Sequence, residues 1–257
     1  MTRAMSGVRI PRSQVDRLSD MLSKKDIPTS ERLILALDVP DVGEARRLVE
    51  ELDESVSFYK VGLELFMTGN VYGFMDWLHG RGKKTFVDLK FFDVPNTVKS
   101  AVRQLKGHQA TFVTVHGNNE ILRAAAAEKN GLKVLAVTVL TSLDSADLQD
   151  MGFQVDIEQL VLSRAKRALQ VGCDGVISSG MEAEGLRGEL GNNFLIVVPG
   201  IRPVANVDDQ KRTVDVEEAF QKGADYIVVG RPIRQAPNPK ESARDIQARI
   251  SALFRPA

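Results

Sequence analysis

The run Asp88-Leu-Lys90-Phe-Phe-Asp93 places two carboxylates and one amine within six consecutive residues. On an extended strand, residues 88 and 90 would share a face about 7 Å apart. Alone, such a pair reads as a solvated strand end closed by an ion pair. Here it has company. Lys60 lies near the end of the preceding β-rich run, Asp38 ends the run before that, and Asp93 opens the following loop. Two amines and three acids meeting at one point are costly to desolvate unless their signs alternate. An alternating Asp–Lys array meets that condition and leaves a preorganised field, the means by which a site stabilises charge as it develops.

A second group lies toward the C-terminus. Pro199-Gly200-Ile201-Arg202 follows the seventh β-rich run, and Val229-Gly230-Arg231-Pro232 closes the eighth. Glycine N–H groups with an arginine fork suit a phosphate, which barrels commonly bind after these two strands. Between them runs the polar, glycine-poor segment Val204–Gln210, suited to closing over a ligand.

These side chains need a scaffold that gathers strand ends. Short β-rich runs are expected at Leu33–Leu37, Ser57–Val61, Lys84–Leu89, Phe112–Val115, Lys133–Leu140, Gly175–Ser178, Phe194–Val198 and Tyr226–Val229. Helix-period stretches follow most of them, among them Val42–Leu52, Thr97–Lys106, Ile157–Val171, Val216–Lys222 and Glu241–Phe254. Eight such units without a Gly-x-Gly-x-x-Gly opening predict an α/β fold, a (β/α)₈ barrel of the TIM type, rather than a Rossmann sheet. Alternate side chains share a strand face: Ile34, Ala36 and Asp38; Phe58 and Lys60; Phe86, Asp88 and Lys90. The charged members all fall at C-terminal ends, where such barrels build their sites. Residues 31–257 are expected to form one catalytic domain, and residues 1–30 an N-terminal extension with a short helix near Ser13–Lys24.

Bulk properties narrow the function classes. Lys plus Arg equals Asp plus Glu at 34 each in 257 residues, so no overall basic field exists for nucleic acid or anionic lipid. One cysteine, Cys173, excludes an intrachain disulfide, and His79, His108 and His116 lack metal-ligand spacing, so no metal is expected. Apolar runs such as Val134–Leu140 are far shorter than the roughly 20 residues of a membrane span. The N-terminus lacks a signal-peptide core. A soluble cytoplasmic enzyme fits this profile.

The motifs resemble the orotidine 5′-phosphate decarboxylase family over Leu33 to Ile233. They are Leu-Ala-Leu-Asp38, Tyr-Lys60-Val-Gly, Asp88-Leu-Lys90-Phe-Phe-Asp93-Val-Pro-Asn96-Thr97, Val-Leu-Thr141-Ser, Pro199-Gly-Ile-Arg202, Asp209-Gln210 and Val-Gly230-Arg231. The resemblance implies a cofactor-free decarboxylase of orotidine 5′-monophosphate with Lys90, Asp88, Lys60 and Asp93 as its catalytic set. Lys90 would protonate carbon 6 as carbon dioxide leaves, and Asp88 would sit against the departing carboxylate. Lys60 and Asp38 would bind ribose hydroxyls and align the charges. Asp93 and Thr97 would reach the partner's site in a homodimer, and Asn96 would bind substrate. Thr141 would meet the pyrimidine amide edge, and Arg202, Gln210, Gly230 and Arg231 would hold the phosphate and close the lid. The Arg202–Gln210 loop is about a residue shorter than the usual bacterial form and lacks its glycine.

Two other readings compete. Magnesium-dependent sugar-phosphate enzymes of the same superfamily share Asp-x-Lys-x-x-Asp but carry an acid on the second strand, where this chain has Lys60. A non-catalytic nucleotide-phosphate binder would not need the whole charged array. The remaining conspicuous residues have structural explanations: His116 at a barrel end, Met75 and Trp77 in packing, Cys173 as a small buried residue, and Arg164–Arg167 as a solvated helix face.

Overall fold

The computed structural model describes residues 22–201 and 214–255. Among these, eight parallel strands close into a barrel in sequence order: β1 Leu33–Ala36, β2 Phe58–Gly62, β3 Lys84–Phe91, β4 Phe112–Val115, β5 Lys133–Val137, β6 Gly175–Ile177, β7 Leu195–Val198 and β8 Tyr226–Val229. This is the expected (β/α)₈ architecture. The fifth strand ends earlier than its apolar run suggested, and β1 stops two residues short of Asp38.

Period-two alternation divides the core. Inward positions Ile34, Phe58, Phe86, Phe112, Leu135, Leu195 and Tyr226 fill the barrel, while Leu33, Leu35, Tyr59, Val61, Val87 and Val113 face the surrounding helices. The lower interior is an aromatic plug. Phe112 lies 5.0 Å from Phe58, 5.1 Å from Tyr226 and 5.9 Å from Phe86, centroid to centroid. Two residues further along β1, β2, β3, β4 and β8 the inward positions become small or charged: Ala36, Lys60, Asp88, Thr114 and Val228. Bulk below and small or charged groups above leave room only at the C-terminal mouth.

The helices run back along the outside with local signals at their starts. Asp41 accepts from the Glu44 N–H to cap Val42–Leu52, and Asn118 caps Asn119–Ala126. Asp144 and Asp147 form a capping box at Ser145–Asp150. Asp156, Asp215 and Asn238 cap later helices by accepting from a backbone N–H of the first turn.

At the opposite end, Asp225 is fully buried just before β8. Its carboxylate accepts from Ser23 Oγ, Lys25 Nζ, Arg187 Nη2 at 2.7 Å and the Ile196 N–H at 2.9 Å. Ile27 packs beneath the aromatic plug. Part of the helix expected near Ser13–Lys24 falls outside the described residues, and the rest is a correction: residues 22–24 are not helical.

Candidate active site

Four charged side chains alternate across the barrel mouth. Lys60 Nζ lies 3.0 Å from Asp38 Oδ1 and 3.4 Å from Asp88 Oδ2, and Lys90 Nζ lies 3.0 Å from Asp88 Oδ1. The row therefore reads Asp38, Lys60, Asp88, Lys90. Burial alone would push Lys60 toward its neutral form, yet the carboxylates of Asp88 and Asp38 outweigh it and raise the ammonium above its ordinary pKa. The same balance works on Asp88. Burial favours the neutral acid, but Lys60, Lys90 and hydrogen bonds from Lys90 and Thr114 hold its pKa below the ordinary carboxylate value. Both stay charged because each is the other's counter-ion.

Gly62 makes this pairing possible. A Cβ there would come within 2.9 Å of Asp38 Oδ1 and 3.0 Å of Lys60 Nζ, so any side chain would push into the ion pair. The Lys60-Val-Gly62 spacing thus has a steric cause.

The third strand corrects the simple alternation expected of it. Val87 pairs with Val113 and Phe91 with Val115, so Asp88, Leu89 and Lys90 lie opposite the single residue Thr114. Lys90 has a φ of +48°, in the left-handed region that few non-glycine residues enter. Regular extension would have left its side chain parallel to that of Asp88. Instead, the bulge brings the ammonium onto the carboxylate. Thr114 spans the irregularity: its hydroxyl accepts from the Lys90 N–H at 2.9 Å and donates to Asp88 Oδ1 at 2.9 Å. Sequence reasoning missed this residue, although Phe112 and Thr114 share a strand face by the rule applied to β1–β3.

The array forms one wall of a cavity of about 320 Å³. Val137, Ile177 and Leu140 supply an apolar wall, Thr141 and Ser142 a polar edge, and Gly200, Gly230, Arg231 and Arg234 the far side. Gly200 adopts a φ of +74° beyond β7, a turn that favours glycine. The cavity therefore gathers Asp38, Lys60, Asp88, Lys90, Thr141, Gly230 and Arg231 from the expected set. Arg234 was not foreseen; its Nε is buried without a hydrogen-bond partner.

Other expected residues lie elsewhere. Asp93, Asn96 and Thr97 are exposed around the start of the helix Pro95–Leu105 and do not line this chain's own cavity. The Asp93 carboxylate accepts from the Val94 N–H at 2.6 Å. Arg202 and Gln210, with the whole segment Val204–Gln210, lie outside the described residues. The His116 ring packs edge-on against Phe92 and lines a neighbouring cavity with Arg164. Burial, with Arg164 and Lys90 nearby, lowers the pKa of His116. Arg164 is also a correction, because it is half-buried and donates to the Thr138 carbonyl, whereas Lys166 and Arg167 are exposed. Met75 is buried, and Trp77 packs partly buried against the core, with Arg81 stacked on its ring. Cys173 is buried, which pushes its thiol up to about 12.

Known proteins match this architecture over nearly its whole length. Orotidine 5′-phosphate decarboxylase from Methylococcus capsulatus is 59% identical over 239 residues, covering 92% of this chain and 99% of that protein. Its namesake from Stenotrophomonas maltophilia is 46% identical over 238 residues, covering 91% of this chain and 99% of that protein. The crystal structure of orotidine 5′-phosphate decarboxylase from Lactobacillus acidophilus superposes with a TM-score of 0.77 at 34% identity, over 86% of this chain and 99% of that one. Residues 31–246 match the orotidine 5′-phosphate decarboxylase / HUMPS family. The chain belongs to that family.

Proposed function

We propose that this site converts orotidine 5′-monophosphate to UMP, the last step of de novo pyrimidine nucleotide synthesis, with no metal or cofactor. The observation that carries the reading is the alternating row Asp38–Lys60–Asp88–Lys90 beside an apolar-walled cavity. Breaking the bond between carbon 6 and the carboxylate leaves an electron pair in the ring plane, where the pi system cannot absorb it. The protein's field must stabilise that charge. Lys90 supplies a positive charge there and then its proton, which goes to carbon 6 as carbon dioxide departs; solvent reprotonates the amine.

Repulsion between Asp88 and the substrate carboxylate is a smaller effect. Two like charges at 4 Å are worth roughly 4 kcal/mol at an effective dielectric near 20. Enzymatic barrier reductions run to about 8–23 kcal/mol. Stabilisation by Lys90 therefore supplies most of the acceleration. Lys60 and Asp38 hold ribose hydroxyls, Thr141 the pyrimidine amide edge, and Gly230 and Arg231 the phosphate. Arg234 adds a second guanidinium at the phosphate end. Arg202 and Gln210 complete that grip, and phosphate binding energy holds the charges in register.

The family description spans sugar-phosphate enzymes too, and Lys60 separates the two readings. Its ammonium already sits between the carboxylates of Asp38 and Asp88, where a divalent ion would need an acid in place of an amine. The active unit is a homodimer in which Asp93 and Thr97 reach the partner's cavity. Exposed Leu63, Met67, Phe92 and Val94, on the neighbouring segments after β2 and β3, support such an interface. Residues 31–257 form the catalytic domain and residues 1–30 an extension, in a cytoplasmic enzyme. No helix among the described residues is long and apolar enough to cross a membrane.

The test adds orotidine 5′-monophosphate to the purified protein with EDTA and follows the ultraviolet spectrum. Loss of the orotate absorbance is expected. Binding without spectral change would leave a non-catalytic binder, and dependence on added magnesium would favour the sugar-phosphate reading.

A further inference from the structure

We infer that Thr114 is a positioning residue for the reaction, its hydroxyl locking the Lys90 backbone and the Asp88 carboxylate into one unit. The inference rests on the decarboxylation reading and adds a residue to it. Thr114 is fully buried on β4 and is the one residue facing the three-residue irregularity Asp88–Lys90 of β3.

The hydrogen-bond roles there have a single solution. A backbone N–H only donates, so the Lys90 N–H must give its proton to Thr114 Oγ1. The hydroxyl proton is then free to point only at an acceptor, and Asp88 Oδ1 lies 2.9 Å away. That same oxygen receives the Lys90 ammonium at 3.0 Å, while Lys60 takes the other oxygen, Oδ2, at 3.4 Å. The carboxylate is thus held from three directions and cannot rotate without breaking a contact.

The backbone needs the same hydroxyl. Lys90 sits at φ +48°, a conformation that ordinary strand pairing does not support. Its N–H has left the β3–β4 ladder and would be orphaned without Thr114. One side chain therefore replaces a lost ladder bond and orients the acid beside it. Thr114 does not line the cavity, so it acts through Lys90 and Asp88 rather than on substrate.

The experiment compares Thr114→Val, nearly the same shape without the hydroxyl, with Thr114→Ser, which keeps it. Wild-type turnover of orotidine 5′-monophosphate is measured first, since its absence would overturn the functional reading and not this role in particular. Given turnover, Thr114→Val is expected to lower kcat by about 10- to 100-fold, the scale of one hydrogen bond to a charged group, with KM changed less than about threefold. The acid limb of its kcat/KM profile is expected to move to higher pH as Asp88 loses a donor. Thr114→Ser is expected to stay within about threefold of wild type. Should the valine variant not fold, Thr114→Cys, with its weak donor, carries the test, and a loss of at least about tenfold in kcat is expected. A folded valine or cysteine variant with wild-type kcat would overturn the inference. So would an effect confined to KM, or an equal loss in the serine variant.

Discussion

Asp225 at the floor of the barrel is fully buried and Asp88 at its mouth is partly buried; both carboxylates are fastened by two cations and further hydrogen bonds, yet their surroundings differ. At the floor, the Arg187 guanidinium spends its donors on the Gly223 carbonyl, the Phe194 carbonyl and Asp225, and Lys25 reaches both carboxylate oxygens. Ile27 and the aromatic plug then seal the region. At the mouth, Asp88 is equally bound, but Lys90 has one partner among the described residues and a side chain 35% exposed toward the cavity. A charge whose donors are used up holds a structure together; a charge held in place with donors to spare can act on a ligand. The floor buries its charges more completely, and the mouth keeps capacity in reserve.

Substitutions can break this contrast at either end. Lys90→Ala should abolish turnover, by at least about 10⁴-fold, because it removes both field stabilisation and the proton source. The fold should survive, since the Lys90 side chain is 35% exposed, against 11% for Lys60 and 14% for Asp88. Absorbance assays with circular dichroism check both halves, and near-normal turnover would refute the mechanism. Asp225→Ala should do the reverse, costing about 3–5 kcal/mol by stranding Arg187 in the interior. Denaturant unfolding measures the loss, and kcat of the folded fraction should stay within about twofold of wild type. A large drop in kcat with unchanged stability would erase the distinction between the ends.

Arg231→Ala is expected to raise KM by about 10- to 100-fold with a smaller change in kcat, as loss of a charged phosphate contact would. Steady-state kinetics decide it. The smallest effect concerns pH. Burial would raise the Asp88 pKa, but Lys60, Lys90 and the hydrogen bonds prevail and depress it in the folded state. Its stabilising contribution is therefore present above the unfolded value near 4 and is lost as pH falls through the lower folded value. The stability advantage of wild type over Asp88→Asn, taken from urea midpoints, should shrink across that acid window. An advantage independent of pH would mean that Asp88 is not ionised in the folded protein.

Much of the mouth was legible before any coordinates. Lys60 and Asp88 follow period-two alternation, a local property of a strand, whereas Asp38 reaches the cavity from two residues beyond the end of β1. The Lys90 conformation was not legible, because the irregularity depends on how β3 registers against β4, a pairing between distant residues. Thr114 was visible only halfway. Face alternation puts it inward, but the same rule would also carry His116 inward, and that ring packs on Phe92 instead. Arg234 was hidden in a four-residue helix whose rotation the local sequence does not specify.

The sequence by itself determined the strand–helix alternation, the charged residues at the C-terminal ends of the strands, and the identity of the groups that could do chemistry. These follow from side-chain size, charge and spacing along one chain. Tertiary structure alone decided that Lys90 turns back onto Asp88, that Gly62 must lack a side chain, that Asp93 and Thr97 stay out of their own cavity, and that Ser23 and Lys25 anchor to Asp225. Each depends on which residues closure of the barrel brings within 3 or 4 Å, and closure is set by all eight strands together.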